Sequence, residues 1–382
     1  MERTLFSPEH DLFRQNFRKF LEKEVAPRYE AFEDEGMVAR DVWKKAGEQG
    51  YLVPWMPEDY GGTGADWLYS VVLIEEVGRA NVTGFGISLH NDVVAPYLAD
   101  WLKPELKKEL LPQLLTGDKI LAVAMTEPGY GSNLAGIRTS ARKDGDDYVI
   151  TGQKTFITNG QLCDWVVVAA RTDPDAQPPH KGISLFLVDT ALPGFRRGRN
   201  LKKIGLKAND TSELFFEEVR VPRRYLLGGE NQGFYQLMTK LQQERLVVAV
   251  RGAASMQSAV EHTIRYVQER EIFGQPLAKM QNTQFQIAEC ATAAEVAQAF
   301  VDRLIAAHIA GKDVVKEVSM AKYWVTDQLK QVVDKCLQLH GGYGYMTEYP
   351  IARMYTDARV QSIFAGTNEV MKVIIARKLG LD

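Results

Sequence analysis

The residues whose types suit chemistry are spread along the chain and form none of the best-known short catalytic motifs. The glycine clusters at Gly129 to Gly131 and Gly341 to Gly344 lack the GxGxxG spacing of a Rossmann dinucleotide site. The sequence also has no GxxxxGK[ST], GxSxG or HExxH. The six histidines stand singly, so each is more readily structural than catalytic, with His340 as an exception because glycines follow it. We therefore predict no metal site.

Two local patterns nevertheless have a physical use. Gly129, Gly131 and Ser132 make a turn whose backbone N–H groups can approach a phosphate or a thioester, because glycine leaves no side chain in the way. Glu244 precedes Arg245 in a helical stretch, and such a carboxylate becomes a useful base when its surroundings exclude water. Taken alone, Glu244 is more readily a solvated surface carboxylate, since most helix glutamates are exposed.

Composition and charge exclude several classes of protein. The 382 residues are 45% hydrophobic and 25% charged, which is typical of a globular chain and not of a disordered or collagen-like one. The formal net charge of -3 predicts no general affinity for nucleic acid. No apolar run approaches the ~20 residues of a membrane span, and the N-terminus has no signal or transit pattern. With three cysteines and no CxxC spacing, we expect a bacterial-type cytoplasmic protein without disulfides.

The spacing of hydrophobic residues changes twice along the chain and predicts three domains. Helical spacing is found from Ser7 to Pro27 and in further stretches before residue 120. Short β-branched and aromatic runs follow, among them 148–151 and 155–158, and are typical of strands. Helical spacing then returns in four long stretches. We predict an α+β fold, mostly α, with an N-terminal α-helical domain over 1–120, a middle β domain over 121–228 and a C-terminal four-helix bundle over 229–382.

Four segments, in the same order along the whole chain, resemble the acyl-CoA dehydrogenase family. They are Ala124-Met-Thr-Glu-Pro-Gly-Tyr-Gly-Ser132 with Thr155-Phe-Ile-Thr-Asn-Gly160, Arg270-Glu-Ile-Phe-Gly274, Gln338-Leu-His-Gly-Gly-Tyr-Gly344, and Phe364-Ala-Gly-Thr-Asn-Glu369. Among subfamilies the chain is most similar to long-chain acyl-CoA dehydrogenases, in Gln243-Glu-Arg-Leu246, Gly182-Ile-Ser-Leu-Phe-Leu187 and Ala321-Lys-Tyr-Trp324. The resemblance implies the acyl-CoA dehydrogenase fold, which agrees with the α, β, α order of the elements.

The resemblance implies a tightly bound FAD between the β domain and the C-terminal helices. It places Met125, Thr126, Phe156, Ile157 and Thr158 along the isoalloxazine ring, where hydroxyls and N–H groups suit the charge that collects on reduction. On their own, Thr126 and Thr158 are more readily ordinary strand residues. The other residues that the resemblance assigns to FAD are Gly131, Ser132, Arg270, Phe273, Gln281, Gln338, Leu339, His340, Gly341, Gly342, Thr367 and Glu369.

Part of this FAD site is implied to belong to a neighbouring subunit. Arg270 offers a fork of donors for a pyrophosphate, and Phe273 offers an aromatic face for an adenine. Without the resemblance, Arg270 between Glu269 and Glu271 is more readily a solvated arginine. In relatives these groups reach the FAD of another chain, so we expect a homotetramer or a dimer.

The resemblance also implies the reaction, in which the α-proton of an acyl-CoA is removed as a hydride leaves the β-carbon for flavin N5, giving a trans-2-enoyl-CoA. Many members carry the base immediately before the Gly-Thr of the last motif, where this chain has Ala365. The long-chain and isovaleryl subfamilies carry it on the first helix of the bundle, and Glu244 matches that position. We predict Glu244 as the base, and the N–H of Ala365 as a donor to the thioester oxygen. Further substrate contacts are predicted for Ser132, Tyr235, Gln242, Arg245 and Gly366.

The implied substrate is a medium-to-long-chain acyl-CoA, and the implied electron acceptor is an electron-transfer flavoprotein. Gly84 and Gly86, with Ser88, fall in a segment that lines the deep end of the acyl cavity in relatives, so they either leave room for a long chain or form a loop that needs glycine at positive φ. Two alternatives stay open: a branched-chain, isovaleryl-CoA-like dehydrogenase, and a catalytically silent family member that binds acyl-CoA.

Overall fold

A computed structural model describes residues 3–381 of the protein. Its N-terminal part contains seven α-helices. Pro8 opens the first helix, where its missing N–H costs nothing, and Ser7 before it bonds His10. Phe17 and Phe20 of this helix are buried. The helices are α1 Pro8–Phe20, α2 Tyr29–Glu35, α3 Arg40–Glu48, α4 Trp67–Arg79, α5 Ala95–Trp101, α6 Pro104–Leu110 and α7 Pro112–Leu115.

An eight-stranded sheet follows and is mostly antiparallel. Its strands are β1 Leu121–Ala124, β2 Ser140–Asp144, β3 Asp147–Thr158, β4 Trp165–Arg171, β5 Ile183–Asp189, β6 Phe195–Asn200, β7 Thr211–Pro222 and β8 Leu226–Leu227. The spatial order is β6-β7-β3-β2-β4-β5-β8, and β1 pairs in parallel with β4. Gly145, at φ 62°, makes the tight turn between β2 and β3.

The C-terminal part is a bundle of long helices around the 37-residue α8. Its elements are α8 Gly233–Glu269, the hairpin β9 Glu271–Ile272 and β10 Gln275–Pro276, α9 Gln281–Ile309, α10 Val315–His340, α11 Pro350–Ala358 and α12 Asn368–Lys378. Small and branched side chains of α8, α9 and α10 form one buried core, which Val71 and Ile74 of α4 also join. The predicted fold class is therefore confirmed.

The structure differs from the sequence prediction in several elements. The runs 148–151 and 155–158 belong to one strand, β3, whose pairing with β7 shifts register after Ile150 and after Lys154. The pattern suggested two strands because such bulges interrupt the alternation of side chains. Strands β2 and β6 went unpredicted because they are rich in Arg and polar residues. The domain boundaries stay a prediction, and residues 1, 2 and 382 of the outer domains lie outside the described chain.

A buried carboxylate ties the three parts together. Asp357 of α11 accepts hydrogen bonds of 2.5 Å from the Thr83 hydroxyl, which follows α4, and of 2.5 Å from the N–H of Leu206, between β6 and β7. Asp357 is 4% exposed, so these bonds are shielded from water. The three parts are thus held in one arrangement, which the residues below depend on.

Neither a membrane-spanning helix nor a cluster of metal ligands is found in the described part of the chain. Among residues 3–381, no helix has the length and apolarity needed to cross a membrane. The same residues contain no group of three or more His, Cys, Asp or Glu side chains arranged to hold a metal ion.

Candidate active site

Glu244 on α8 is buried, and a tyrosine from the N-terminal helices contacts it. The residue is 5% exposed, and the Tyr97 hydroxyl of α5 donates a hydrogen bond of 2.7 Å to its Oε1. Burial raises the pKa of Glu244 to about 7, against the opposing effects of the Tyr97 hydrogen bond and the Arg245 charge. A carboxyl group with this pKa is present in both acid and base forms at neutral pH, which suits a general base.

Arg245 directly follows Glu244 and is equally buried, at 5% exposed. Burial lowers the pKa of its guanidinium, while the charge of Glu244 acts in the opposite direction. Its Nε has no hydrogen-bond partner among the described residues, so a donor is left for a bound group. Glu244 and Arg245 thus form a buried pair of charged side chains on α8 and are not part of a solvated surface.

The turn before α12 lies beside this pair. A Cβ on Gly366 would be 3.9 Å from Arg245 Nη2. Ala365 and Gly366 both have left-handed φ values, 52° and 84°, which suit glycine but strain alanine. Thr367 then caps α12 by accepting a hydrogen bond of 3.3 Å from the Val370 N–H. We call Tyr97, Glu244, Arg245 and the turn 365–367 the base pocket.

The N–H of Ala365 is a free donor in the base pocket. Within residues 3–381 it makes no hydrogen bond, and Ala365 is half-buried. A half-buried N–H without a partner is uncommon in folded proteins and often serves a bound group. The geometry therefore suits the predicted contact of Ala365 with a thioester oxygen.

Met125 and Thr126 follow β1 and are held against the bulged part of β3. The Thr155 N–H donates to the Thr126 carbonyl at 3.0 Å, and Lys154 Nζ donates to the Met125 carbonyl at 2.9 Å. Lys154 is itself buried and paired with Glu127 at 2.9 Å, and burial lowers its pKa to about 8. A buried ion pair therefore supports the backbone of these two predicted flavin residues.

Phe156 is the most unusual residue of this region. It has a left-handed φ of 59°, and its side chain is 66% exposed in the bulge of β3. A strained backbone that presents a bare aromatic ring often marks a binding surface. Thr158 ends the same strand and is half-buried, whereas Ile157 is buried in the sheet. The structure thus holds Met125 and Thr126 against the strand that carries Phe156, Ile157 and Thr158.

The segment that carries Gly131 and Ser132 is closed by hydrogen bonds to a side chain at its own start, Glu127. The Glu127 carboxylate accepts hydrogen bonds from the N–H groups of Arg138, at 2.7 Å, and Thr139, at 2.9 Å. Gly131 and Ser132 are exposed, and a Cβ on Gly131 would meet no atom within 4 Å. Bare backbone next to open space fits the predicted close approach of a ligand.

A separate cavity of about 500 Å³ lies at the far end of α8. The guanidinium of Arg270 lies 5.5 Å from the centre of the Tyr343 ring, in reach of a cation–π contact. Cβ atoms on Gly341 and Gly342 would meet nothing within 4 Å. This space, the Arg270 cavity, is lined by Tyr266, Arg270, Ile272, Leu277, Gln338, Leu339, His340, Gly341, Gly342, Tyr343 and Met346.

Three predicted FAD residues near this cavity behave differently from one another. The His340 ring is buried, stacks on Tyr266 at 4.1 Å and donates from Nδ1 to the Cys336 carbonyl at 2.8 Å, so its side chain supports the fold. Phe273 is 95% exposed at the tip of the β9–β10 hairpin, with φ 49°. Gln281 is exposed at the start of α9. Phe273 and Gln281 do not line the cavity.

The other predicted substrate and cofactor residues differ in their exposure and in their hydrogen bonds. Tyr235 is 51% exposed near the start of α8. The amide of Gln242 donates to the Lys312 carbonyl at 3.2 Å and accepts from the Val314 N–H at 3.0 Å, which ties it to the loop before α10. Glu369 is exposed, and its own N–H and then Thr367 lower its pKa. Their roles in binding stay predictions.

The two expected roles for Gly84 and Gly86 are wrong. Neither has a positive φ. Nor do they border open space, since a Cβ would lie 2.7 Å from the Tyr29 hydroxyl at Gly84 and 2.7 Å from Asn159 Oδ1 at Gly86. The glycines allow close packing instead, and they say nothing about acyl-chain length.

Tyr97 is the residue of the base pocket that sequence reasoning missed. It is separated from Glu244 by 147 positions, and the helix that carries it was not predicted. No local pattern marks a buried tyrosine as the partner of a distant carboxylate, so only the packing of α5 against α8 finds it.

The base pocket and the Arg270 cavity are far apart. Residues 244 and 270 are 26 positions apart on and just beyond one continuous helix, which at 1.5 Å per residue is about 39 Å. That distance is longer than an extended FAD molecule. One FAD therefore does not reach from Glu244 to Arg270 within a single chain.

Models of known protein families match the chain. Three family models match in order along the chain: the acyl-CoA dehydrogenase N-terminal domain over 7–118, the middle domain over 122–219 and the C-terminal domain over 231–380. Together they cover most of the sequence.

Named relatives and a solved structure give the same result. The chain is 49% identical to the mitochondrial long-chain specific acyl-CoA dehydrogenase of Sus scrofa, over 100% of this chain and 88% of that protein. It is 34% identical to the mitochondrial isovaleryl-CoA dehydrogenase of Pongo abelii, over 98% and 90%. An acyl-CoA dehydrogenase structure from Geobacillus kaustophilus superimposes with a TM-score of 0.97 at 52% identity, covering 99% of this chain and 100% of that one.

Proposed function

Because the chain belongs to the acyl-CoA dehydrogenase family, whose members are FAD-dependent oxidoreductases, we propose that it oxidises medium-to-long-chain acyl-CoA to trans-2-enoyl-CoA. The observation that carries the proposal is the buried Glu244, whose pKa of about 7 suits removal of a carbon-bound proton. Ala365, before the last Gly-Thr, has no acidic side chain, so without another base the chain would be catalytically silent. The geometry of Glu244 favours an active one.

The residues present suit both the flavin and the pyrophosphate of FAD. Met125, Thr126, Phe156 and Thr158 offer an exposed ring, hydroxyls and firmly held backbone for a flavin. The Arg270 cavity offers a guanidinium for a pyrophosphate and bare glycine backbone for its close approach. When bound, FAD supplies the hydride acceptor of the reaction, the flavin N5.

Glu244 is the residue that takes the α-proton. Its Oε1 is held by Tyr97, which leaves Oε2 as the oxygen to receive the proton. Burial keeps water away and holds the pKa near neutral, so an ionised fraction is available without an extra activating group. An acyl chain in the pocket would displace further water and so raise the pKa of Glu244 further.

The turn 365–367 binds the thioester oxygen. The free N–H of Ala365 donates to it, and negative charge that develops there as the α-proton leaves is stabilised by this fixed donor and by the nearby Arg245. The substitution of Ala for the glutamate found in many relatives removes a base from this turn but keeps the backbone donor. Ser132, Tyr235, Gln242 and Gly366 are proposed as further contacts of the substrate.

Two chains complete each FAD site. The separation of about 39 Å between Glu244 and Arg270 supports this, because a cavity so far from the base suits a FAD whose flavin lies in another chain. We propose that the exposed Phe273 and Gln281 contact this FAD of the neighbouring chain, together with Gln338 to Gly342. We propose a homotetramer or dimer, an electron-transfer flavoprotein as the electron acceptor and a cytoplasmic location, which the three free thiols suit.

A straight chain is the proposed substrate, and a branched one is the alternative. The identity of 49% to a long-chain enzyme against 34% to an isovaleryl enzyme favours the first. The test is anaerobic addition of saturated acyl-CoAs of increasing length, and of isovaleryl-CoA, to the purified holoenzyme while the flavin absorbance is followed. Bleaching by long straight chains supports the proposal. Bleaching by isovaleryl-CoA alone selects the alternative, and no bleaching by any of them refutes the dehydrogenase.

A further inference from the structure

Lys322 on α10 is a fully buried lysine that forms no ion pair with a residue of the described chain. Its exposed fraction is 0%, and no carboxylate of residues 3–381 lies within 4.0 Å of its ammonium group. Burial lowers its pKa to about 7, and the nearby Arg245 charge acts in the same direction, whereas the charges of Asp327 and Glu369 act in the opposite direction. An unpaired buried cation is costly, so its presence calls for a specific role.

The ammonium group of Lys322 contacts the turn of the base pocket. Nζ donates a hydrogen bond of 2.7 Å to the Gly366 carbonyl and one of 3.1 Å to Asn368 Oδ1. Among residues 3–381, it is the one side chain that bonds the backbone of Ala365 or Gly366. Lys322 thus reaches the turn from behind, through the peptide that follows Gly366.

The turn needs such support because both of its central residues are left-handed. Ala365 is strained at φ 52°, and Gly366 follows at φ 84°. Upstream, the Phe364 N–H bonds the Val360 carbonyl at 3.1 Å. Downstream, Lys322 is the only described residue that bonds the Gly366 carbonyl, so that bond opposes relaxation of the turn.

A purely structural role is already filled by a neighbour. Asn368 anchors the start of α12 to α10, because its Nδ2 lies within hydrogen-bond distance of three acceptors of α10: the Tyr323 carbonyl at 3.2 Å, Thr326 Oγ1 at 2.9 Å and Asp327 Oδ1 at 3.0 Å. The start of α12 therefore has contacts with α10 that do not involve Lys322. What Lys322 alone adds is the orientation of the turn and a positive charge behind it.

We propose that Lys322 is a positioning residue for the thioester: by holding the Gly366 carbonyl against α10, it keeps the free N–H of Ala365 presented in the base pocket. Together with Arg245 it places positive charge around the oxygen that becomes electron-rich when Glu244 takes the α-proton. This inference rests on the proposed function, because it concerns the same reaction and the same turn.

The test compares Lys322→Met, which removes the charge and donor while keeping a long side chain, with Lys335→Met on the same helix. Lys335 is a matched control because it is partly exposed and pairs only with Glu289, at 2.5 Å. We expect kcat of the holoenzyme to fall about 10- to 100-fold in Lys322→Met with a smaller change in KM, since the loss is indirect compared with that of an oxyanion donor. We expect Lys335→Met to remain within twofold of the parent.

A second measurement needs no turnover and separates this inference from the proposed function. Cinnamoyl-CoA has an absorbance that shifts to the red when its thioester carbonyl is polarised on binding. We expect that shift in the parent and in Lys335→Met, and its loss in Lys322→Met at full occupancy of FAD and ligand. A red shift in the parent without flavin bleaching by any acyl-CoA would refute the dehydrogenase while leaving the positioning role supported by the same variants.

Three results would overturn the role of Lys322. The first is a Lys322→Met holoenzyme with kcat within twofold of the parent and an unchanged red shift. The second is a parent enzyme that shows no red shift at all. The third is loss of folded holoenzyme both in Lys322→Met and in Lys322→Gln, which retains a neutral donor, because a contribution to stability alone would then explain the lysine.

Discussion

The base pocket and the Arg270 cavity differ in how much of each is completed by one chain. In the base pocket, groups from α5, α8 and the turn before α12 meet, Lys322 of α10 bonds that turn from behind, and burial moves the pKa of Glu244 to about 7. The Arg270 cavity is open, and Phe273 near it is 95% exposed. We therefore expect chemistry to depend on packing within the chain and, in the proposed two-chain FAD site, cofactor retention to depend on a neighbour.

The largest expected effect concerns the base pocket. Glu244→Gln should lower the rate of flavin bleaching by a saturated long-chain acyl-CoA by about 10³-fold or more, because the amide cannot accept the α-proton. FAD content and acyl-CoA binding should be retained, since the shape and the Tyr97 contact are kept. Stopped-flow absorbance measures this, and a rate within tenfold of the parent would show that another group is the base.

The opposite pattern is expected at the Arg270 cavity. Arg270→Ala should weaken FAD binding about 10- to 100-fold, since a charge-assisted hydrogen-bond donor to the pyrophosphate is lost. The bleaching rate per bound FAD should stay close to that of the parent. Flavin absorbance after dialysis reports retention, with Arg265→Ala, an exposed arginine on α8, as the control. Equal flavin content in the two variants would place the cofactor elsewhere.

A smaller effect sharpens the picture of the base pocket. Tyr97→Phe removes the hydrogen bond that stabilises ionised Glu244, so the pKa of that carboxyl should rise by about one unit. The parent rate of flavin bleaching should increase through about pH 7 and then level off, and this midpoint should move upward in the variant. At pH 7 the variant should be a few-fold slower. An unmoved midpoint would mean that the profile reports a group other than Glu244.

The smallest effect concerns stability. Burial raises the pKa of Glu244 from 4.5 to about 7, so the folded state holds this proton more tightly than the unfolded state. The contribution of Glu244 to stability is therefore fully present below about pH 4.5 and is lost as the pH rises through 7, by up to about 3 kcal/mol. Glu244→Gln should raise Tm by a few degrees at pH 8 and by less at pH 5. Equal changes at the two pH values would contradict the raised pKa.

Much of the fold and part of the site could be predicted from the sequence. The long helices of the bundle were predictable because their buried faces repeat every three or four residues. Strands β2 and β6 were not, because polar residues hide the alternation that marks a strand. Gly84 and Gly86 show the same limit, since a glycine needed for packing cannot be told by type from one that borders a cavity.

The sequence by itself determined the order of elements, the turn residues that carry bare backbone, and Glu244 as the candidate base. Only the tertiary structure decided that Glu244 is buried, that Tyr97 bonds it from 147 positions away, and that Lys322 supports the turn of Ala365 and Gly366. The physical reason is that periodicity and backbone freedom are local properties of a chain. Desolvation and charge proximity, which make a carboxylate into a base near neutral pH, depend on what other segments pack around it.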